Sequence, residues 1–485
     1  MRIAPWMLTV LLAVRMLPGT PPAADSSTEF DVVILHGRVM DPESNLDAIR
    51  NVGVSGGKIR EISQRELRGR ETIDARGLVV APGFIDLHQH GHDAKNYEFK
   101  ARDGVTTSLE LEVGTDEVDK WYAEREGKTL INFGVSAGHI PVRMRVMKDR
   151  GVFLPSGDAA HREATPEELK QIHGGVERGL RRGALAVGMG INYTEAATHD
   201  EILGVFQVAA AAKAPVHVHL RHAGLKEPTT GLAGLQEVIA DAAATGAPLH
   251  VVHVTSMGLR NTPVLIAMVK GARDRGLDVT TECYPYTAGS TSLESAIFDE
   301  GWQERQGISY KDIQWVKTGE RLTPETFAKY RKEGGSVVVF SIPEQAVRTA
   351  VADPMVMIAS DGSQITGPKI HPRGQATFSR VLGHYVRDEK ALDLMTALRK
   401  MTLMPAERLE KRAPAFRDRG RIRVGADADI TVFDPEKIID KATFEEPLQF
   451  SEGIPFVLVN GVAVVKKSQL VDGVFPGRAA RAPVE

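Results

Sequence analysis

The run Pro82-Gly83-Phe84-Ile85-Asp86-Leu87-His88-Gln89-His90 is apolar and ends in two histidines one residue apart. Side chains alternate faces along a strand, so His88 and His90 point the same way and can grip one metal ion together. Downstream, Val216-His217-Val218-His219-Leu220-Arg221 and His250-Val251-Val252-His253-Val254 each place a histidine at or near the end of an apolar run. Neutral imidazole is the commonest transition-metal ligand, and two such strands side by side in a barrel converge on one point. His219 and His253 are the expected ligands; the same periodicity suits His217 and His250 to packing or supporting positions. A carboxylate closes the series in Val356-Met357-Ile358-Ala359-Ser360-Asp361-Gly362. Asp361 can bind metal, take a proton from an attacking water and pass it to a leaving nitrogen. An Asp-Gly pair alone is usually a turn, but as the last member of this ordered series it is far more specific.

Two metal ions would need a bridging anion. After Gly104-Val105-Thr106-Thr107 the chain runs Ser108-Leu109-Glu110-Leu111-Glu112-Val113-Gly114, and a period of two puts Glu110 and Glu112 on the face opposite Leu109, Leu111 and Val113. A carboxylate inside a barrel is costly unless a positive charge neutralises it. Glu112, nearer the strand end, is the expected bridge, with Glu110 as a supporting group or the alternative bridge.

The elements that must position these residues alternate in type. From residue 82 to about 412, short apolar strands (215–220, 248–254, 277–283) interleave with helical stretches (231–245, 263–275). This predicts a TIM-type (β/α)₈ barrel over 82–415, whose chemistry collects at the C-terminal ends of its strands. A charged, Trp-containing segment, 299–345, interrupts the alternation and is expected as an insertion over the barrel mouth. Both chain ends are β-rich: 30–35, 51–55 and 58–62 around a Gly56-Gly57 turn, then 429–433, with 456–459 and 462–465 flanking Asn460-Gly461, a strong hairpin signal. Residues 29–81 with 416–475 are expected to form a small β-sandwich domain.

The 485 residues, 42% hydrophobic and 25% charged, suit a large globular core. A net charge of −3 with mixed signs gives no basic stripe for nucleic acid and no polybasic patch for a membrane surface. Cys283 is the only cysteine, which excludes an intrachain disulfide and a Cys-based structural zinc site. Met1 and Arg2, the apolar run to Leu17 and the Pro/Ala stretch after it predict a secretory signal over 1–24, cleaved near Ala24, and so an exported protein; a disordered leader on a cytoplasmic one is the alternative. No later segment has the roughly 18 unbroken apolar residues of a spanning helix. A homo-oligomer stays open.

Taken together, these motifs resemble the amidohydrolase superfamily and, within it, the N-acyl-D-amino-acid deacylases (D-aminoacylases), from about Val32 to Pro476. The most specific string is Tyr284-Pro285-Tyr286-Thr287-Ala288-Gly289-Ser290-Thr291, joined by His219-Leu220-Arg221, His371-Pro372-Arg373 and Gly425-Ala426-Asp427-Ala428-Asp429. The resemblance implies a barrel flanked by a small β domain from both chain ends, and zinc ligands at His88, His90, His219, His253 and Asp361. It also implies that a substrate carboxylate is held by Arg373 with help from Tyr193, Tyr284 and Ser290. A planar guanidinium is physically apt for that grip. The chain departs from the family in two places. Typical D-aminoacylases carry a cysteine where this chain has Glu112 and Val113, and a lysine two positions past the second lone histidine is here Thr255.

The expected activity is hydrolysis of an N-acyl-D-amino acid, with one or two Zn²⁺ ions lowering the pKa of a water and polarising the scissile carbonyl. The D configuration comes from the resemblance alone. Hydrolysis of a cyclic amide, as in dihydroorotase or hydantoinase relatives, or of a dipeptide would use the same metal residues without requiring Arg373 to hold a carboxylate. A non-enzymatic scaffold would not need an intact ligand set.

Overall fold

The computed structural model describes residues 29–485 together with Met1 and Ala4; the expected signal sequence falls on residues outside that description. Eight parallel strands form the barrel: β1 (Phe84–Asp86), β2 (Val105–Thr115), β3 (Asn132–Gly138), β4 (Val187–Gly190), β5 (Val216–His219), β6 (Leu249–Val251), β7 (Val279–Cys283) and β8 (Val356–Ile358), neighbours in that order. Almost every strand residue is buried, as expected where helices cover the outer face and side chains fill the inner one. The intervening helices start and stop on local signals. Pro166–Arg181 opens on a Thr165/Glu168 capping box, and Gly231–Thr245, matching the expected 231–245, is capped by Thr230 and ends at Gly246 with φ +76°.

Among the described residues no ladder joins β1 to β8; the ring closes there through side chains and one isolated bridge between Gln89 and Gly362. Asp86, fully buried, accepts from the Ser360 N–H (2.9 Å) and hydroxyl (2.6 Å) and pairs with the buried Lys100 ammonium at 2.7 Å. Higher up, the His90 N–H donates to the Gly362 carbonyl at 2.7 Å. The two strand ends that carry the expected ligands at the seam are therefore held to one another directly.

Both chain ends build a single nine-stranded sheet. Its first strand, Phe30–Asp41, shifts register between Ile34 and Gly37, pairing with Gly69–Asp74 before the shift and with Val79–Pro82 after it. The hairpin at Asn460-Gly461 joins Phe456–Val459 to Val462–Lys466, as the sequence predicts. A core of Val32, Ile34, Val54, Val80, Ile430, Val432 and Leu458 draws on both ends of the chain.

The inserted unit begins earlier than 299. Gly289–Ser292 is its first strand, pairing with Ser336–Val339, which also pairs with Ile313–Trp315. The Gly-Ser-Thr-Ser strand is half-buried throughout and carries no apolar alternation, so no periodicity announces it. Its core is aromatic, with Trp302 stacked on Phe327 and Trp315 on Tyr330.

Candidate active site and metal centre

The ends of β1, β2, β5 and β6 and the turn after β8 bring six expected ligands together. Glu112 lies at the centre. One carboxylate oxygen faces His88 Nε2 (3.0 Å) and His90 Nε2 (3.1 Å); the other faces His219 Nδ1 (2.8 Å) and His253 Nε2 (3.6 Å). Asp361 Oδ1 is 3.4 Å from His90 Nε2 and 3.5 Å from His88 Nε2. Two donor sets result, His88, His90, Glu112 and Asp361 in one and Glu112, His219 and His253 in the other, each with its ligand atoms within 4.8 Å of one another. Glu112 belongs to both. Nitrogen and carboxylate donors at this spacing suit zinc.

Glu110, the alternative bridge, is turned to other work. One oxygen takes the Nδ1 side of His90 (2.8 Å), and the other accepts from the backbone N–H groups of Val113 and Gly114, where the pairing of β2 with β3 shifts register. His253 and Asp361 hold left-handed backbones, φ +32° and +50°. Such conformations are costly for non-glycine residues and gather at functional sites. His253 stands beyond β6, which stops at Val251, at the residue that precedes the short helix Val254–Gly258.

The charges of the cluster fit a cation. Burial works against ionisation of Glu112, but His88 and the hydrogen bonds of His219 and His253 hold it well below the usual carboxylate range. Burial likewise opposes the Asp361 anion, and Arg373 and His88 outweigh it. His88, which burial alone would keep neutral, is pushed up to about 10 by Asp361 and Glu112. The metal-free centre thus holds protons on imidazoles where a cation would otherwise balance the carboxylates.

A supporting layer escaped the sequence analysis. Glu282, on β7 and fully buried, faces His88 Nδ1 with one oxygen (2.7 Å) and His250 Nε2 with the other (3.0 Å), and His250 Nδ1 meets the Thr280 hydroxyl at 2.7 Å. Despite burial, these two histidines bring Glu282 down to about 2. A carboxylate behind a ligand histidine fixes its tautomer and leaves Nε2 free to bind. His250 thus has a supporting role, whereas the His217 ring packs against it, tilted by 33° with centroids 4.4 Å apart, and has no hydrogen bond among the described residues. The Ser256 hydroxyl, 2.9 Å from His253 Nδ1, orients that ring.

One cavity, about 320 Å³, exposes the cluster. Tyr193, Tyr284, Ser290 and Arg373 all line it. Arg373 does overhang the cluster, but it is already engaged. Its Nη1 pairs with Asp361 Oδ2 at 2.8 Å, Nη2 donates to the Ser290 carbonyl at 3.2 Å, and the guanidinium stacks over Tyr284 at 4.6 Å. Its Nε has no acceptor among the described residues. Ser290 thus contributes its backbone oxygen, and the Tyr193 hydroxyl meets Thr291 at 3.1 Å. Thr255 is buried outside the cavity lining, and Ser256 lines it instead.

The sequence profile of the Amidohydrolase family matches residues 71–134 and 144–465. D-aminoacylase of Alcaligenes xylosoxydans xylosoxydans is 30% identical over 93% of this chain and 98% of its own. The crystal structure of N-acyl-D-glutamate deacylase from Bordetella bronchiseptica, complexed with zinc and a phosphonate that mimics the tetrahedral intermediate, superposes with TM-score 0.81 at 26% identity, over 94% of this chain and all of the other. A D-aminoacylase structure addressing its binuclear metal centre, with one-metal activation and second-metal attenuation, gives 0.77 at 26% identity over 93% and 100% of the two chains.

Proposed function

The chain belongs to the amidohydrolase family, and on that premise we propose that it is a zinc-dependent deacylase that cleaves N-acyl-D-amino acids to a carboxylate and a free D-amino acid. The observation that carries the reading is the sharing of Glu112 between two donor sets, in a cavity that the buried Arg373 also lines. His88, His90, Glu112 and Asp361 would hold one ion, and Glu112, His219 and His253 a second. Zinc bound there supplies a water activated at neutral pH and an electrophile for the amide carbonyl. Asp361 takes the water's proton and delivers it to the leaving nitrogen. Arg373, with an unsatisfied Nε–H and Tyr284 beneath it, receives the substrate's α-carboxylate. That carboxylate shares Arg373 with Asp361, so substrate and base are drawn to one cation. The choice of D over L rests on the relatives, and the apolar run before Leu17 in the sequence supports an exported enzyme.

The test is metal analysis of purified protein together with a screen of N-acetyl-D- and N-acetyl-L-amino acids for released amine. One to two zinc ions per chain and release from D substrates alone are expected. Zinc without amine release, accompanied by hydrolysis of a cyclic amide, would move the chain to the dihydroorotase or hydantoinase reading.

A further inference from the structure

The segment between the helix His139–Met147 and the short helix Asp158–His161 carries Val152, Phe153 and Leu154 at its tip. Its base is rigidly tied: the Asp149 carboxylate accepts from the N–H groups of Gly151, Ser156, Gly157 and Ala159, at 2.8–3.1 Å. Leu154 plugs into a core cluster with Val113, Ile140, Met144 and Tyr193. The two residues before it turn outward: Val152 is fully exposed and Phe153 is 42% exposed. Single exposed apolar residues are ordinary. This pair differs because both line the cavity of the metal cluster, and the Phe153 ring sits 5.2 Å from that of His90, edge to face.

The position of the tip within the ring decides what it meets. Arg373 and Tyr284 follow β8 and β7, whereas the Val152-Phe153 tip follows β3, on the opposite side of the eight-strand ring. A substrate anchored by its α-carboxylate at Arg373, with its amide over the cluster, extends its acyl group across the mouth toward β3. The amino acid's own side chain, attached to the carbon that bears the carboxylate, stays on the Arg373 side. We infer that Val152 and Phe153, with Leu154 and Ile297 lining the same cavity, form a subsite for an apolar acyl chain, so that the preferred substrates carry a medium-length aliphatic or aryl acyl group rather than acetyl. The inference rests on the deacylase reading. It adds an acyl preference to that reading. Covering apolar surface that otherwise faces water favours each added methylene, up to about fourfold when fully buried.

The test is a series of N-acetyl-, N-butyryl-, N-hexanoyl- and N-phenylacetyl-D-alanine, whose small side chain isolates the acyl contribution. In the wild type kcat/KM should rise along the series, by about tenfold or more from acetyl to hexanoyl. Phe153→Ala should cut the hexanoyl-to-acetyl ratio by about fivefold. Val152→Ser, at an exposed position, should lower the same ratio and keeps the test open should Phe153→Ala fail to fold. Hydrolysis with a flat or falling wild-type series, or equal losses on all members in both variants, overturns the subsite and leaves the deacylase reading standing. Absence of turnover on every member overturns both.

Discussion

Glu112 and Glu110 differ by two positions and are equally buried, yet only Glu112 touches both donor sets. Glu112→Gln should therefore strip most bound metal, because removing the shared anion leaves two cations uncompensated. Glu110→Gln should cost less, since it only weakens the support of His90; elemental analysis of the two variants, with the reverse ranking as the contrary result, separates them. Glu282 acts one step further out. Glu282→Gln should weaken zinc binding by about 10- to 100-fold through the loosened His88 ring, measured by competition with a chromophoric chelator. Unchanged affinity would reduce Glu282 to a buried structural acid. Arg373 is the residue where the structure complicates the reading, because its pairing with Asp361 gives it a second duty. Arg373→Lys should lower kcat/KM for an N-acyl amino acid by about 30-fold or more, since a point charge cannot serve both acceptors with a planar fork. A neutral amide lacking the α-carboxylate should lose far less; equal losses would mean that Arg373 serves only Asp361.

Strands determine which of these residues could be read from sequence. His88, His90, His219 and Asp361 were legible because each stands where a buried apolar run gives way at a barrel mouth, and the β-rich ends because their turns carry Gly-Gly and Asn-Gly. Glu282 was not, since it reads as one more polar residue after two threonines and acquires its role from His88, 194 positions away. His253 was found by spacing, although β6 ends at Val251 and the ring is aimed by a left-handed backbone that no period-two argument supplies. The seam between β1 and β8 was also invisible, being made of loop carbonyls and the buried Asp86, Lys100 and Ser360. Gly362 is the tight point of that seam. A Cβ there would lie 2.0 Å from Gln89 Oε1 and 2.8 Å from Gly374 Cα, backbone that cannot swing aside. Gly362→Ala should thus cost about 1–3 kcal/mol of stability through overpacking and shift Asp361 enough to lower turnover by about 100-fold. Gly174→Ala, in a helix with nothing within 4 Å of the added carbon, is the control and should be neutral or stabilising in the same thermal melts. A Gly362→Ala variant as stable and active as Gly174→Ala would mean that the seam tolerates expansion.

At the scale of the molecule, the barrel interior is a store of charge that something must balance. Glu112 and Asp361 are held as anions in the folded chain, and against the cost of burial they push the His88 imidazole up to about 10. In the metal-free protein the raised imidazole favours folding fully below its ordinary value of 6.5. That contribution fades as pH climbs toward about 10, because the folded chain then surrenders the proton that the unfolded chain has already lost. Zinc competes with the same proton, so its uptake should release protons and its affinity should rise with pH over that interval. Zinc in hundredfold excess over its dissociation constant adds about 2.7 kcal/mol to folding, a shift of several degrees in a domain of this size. The stabilisation lost on chelation should therefore be smallest at about pH 6.5 and grow toward about pH 9, as the proton stops substituting for the metal. Thermal melts with and without chelator across that range read the increment directly, and calorimetry in buffers of different ionisation enthalpy counts the protons released per zinc. An increment independent of pH, with no proton release, would mean that the imidazoles are already neutral in the metal-free barrel and that Arg373 alone balances the carboxylates.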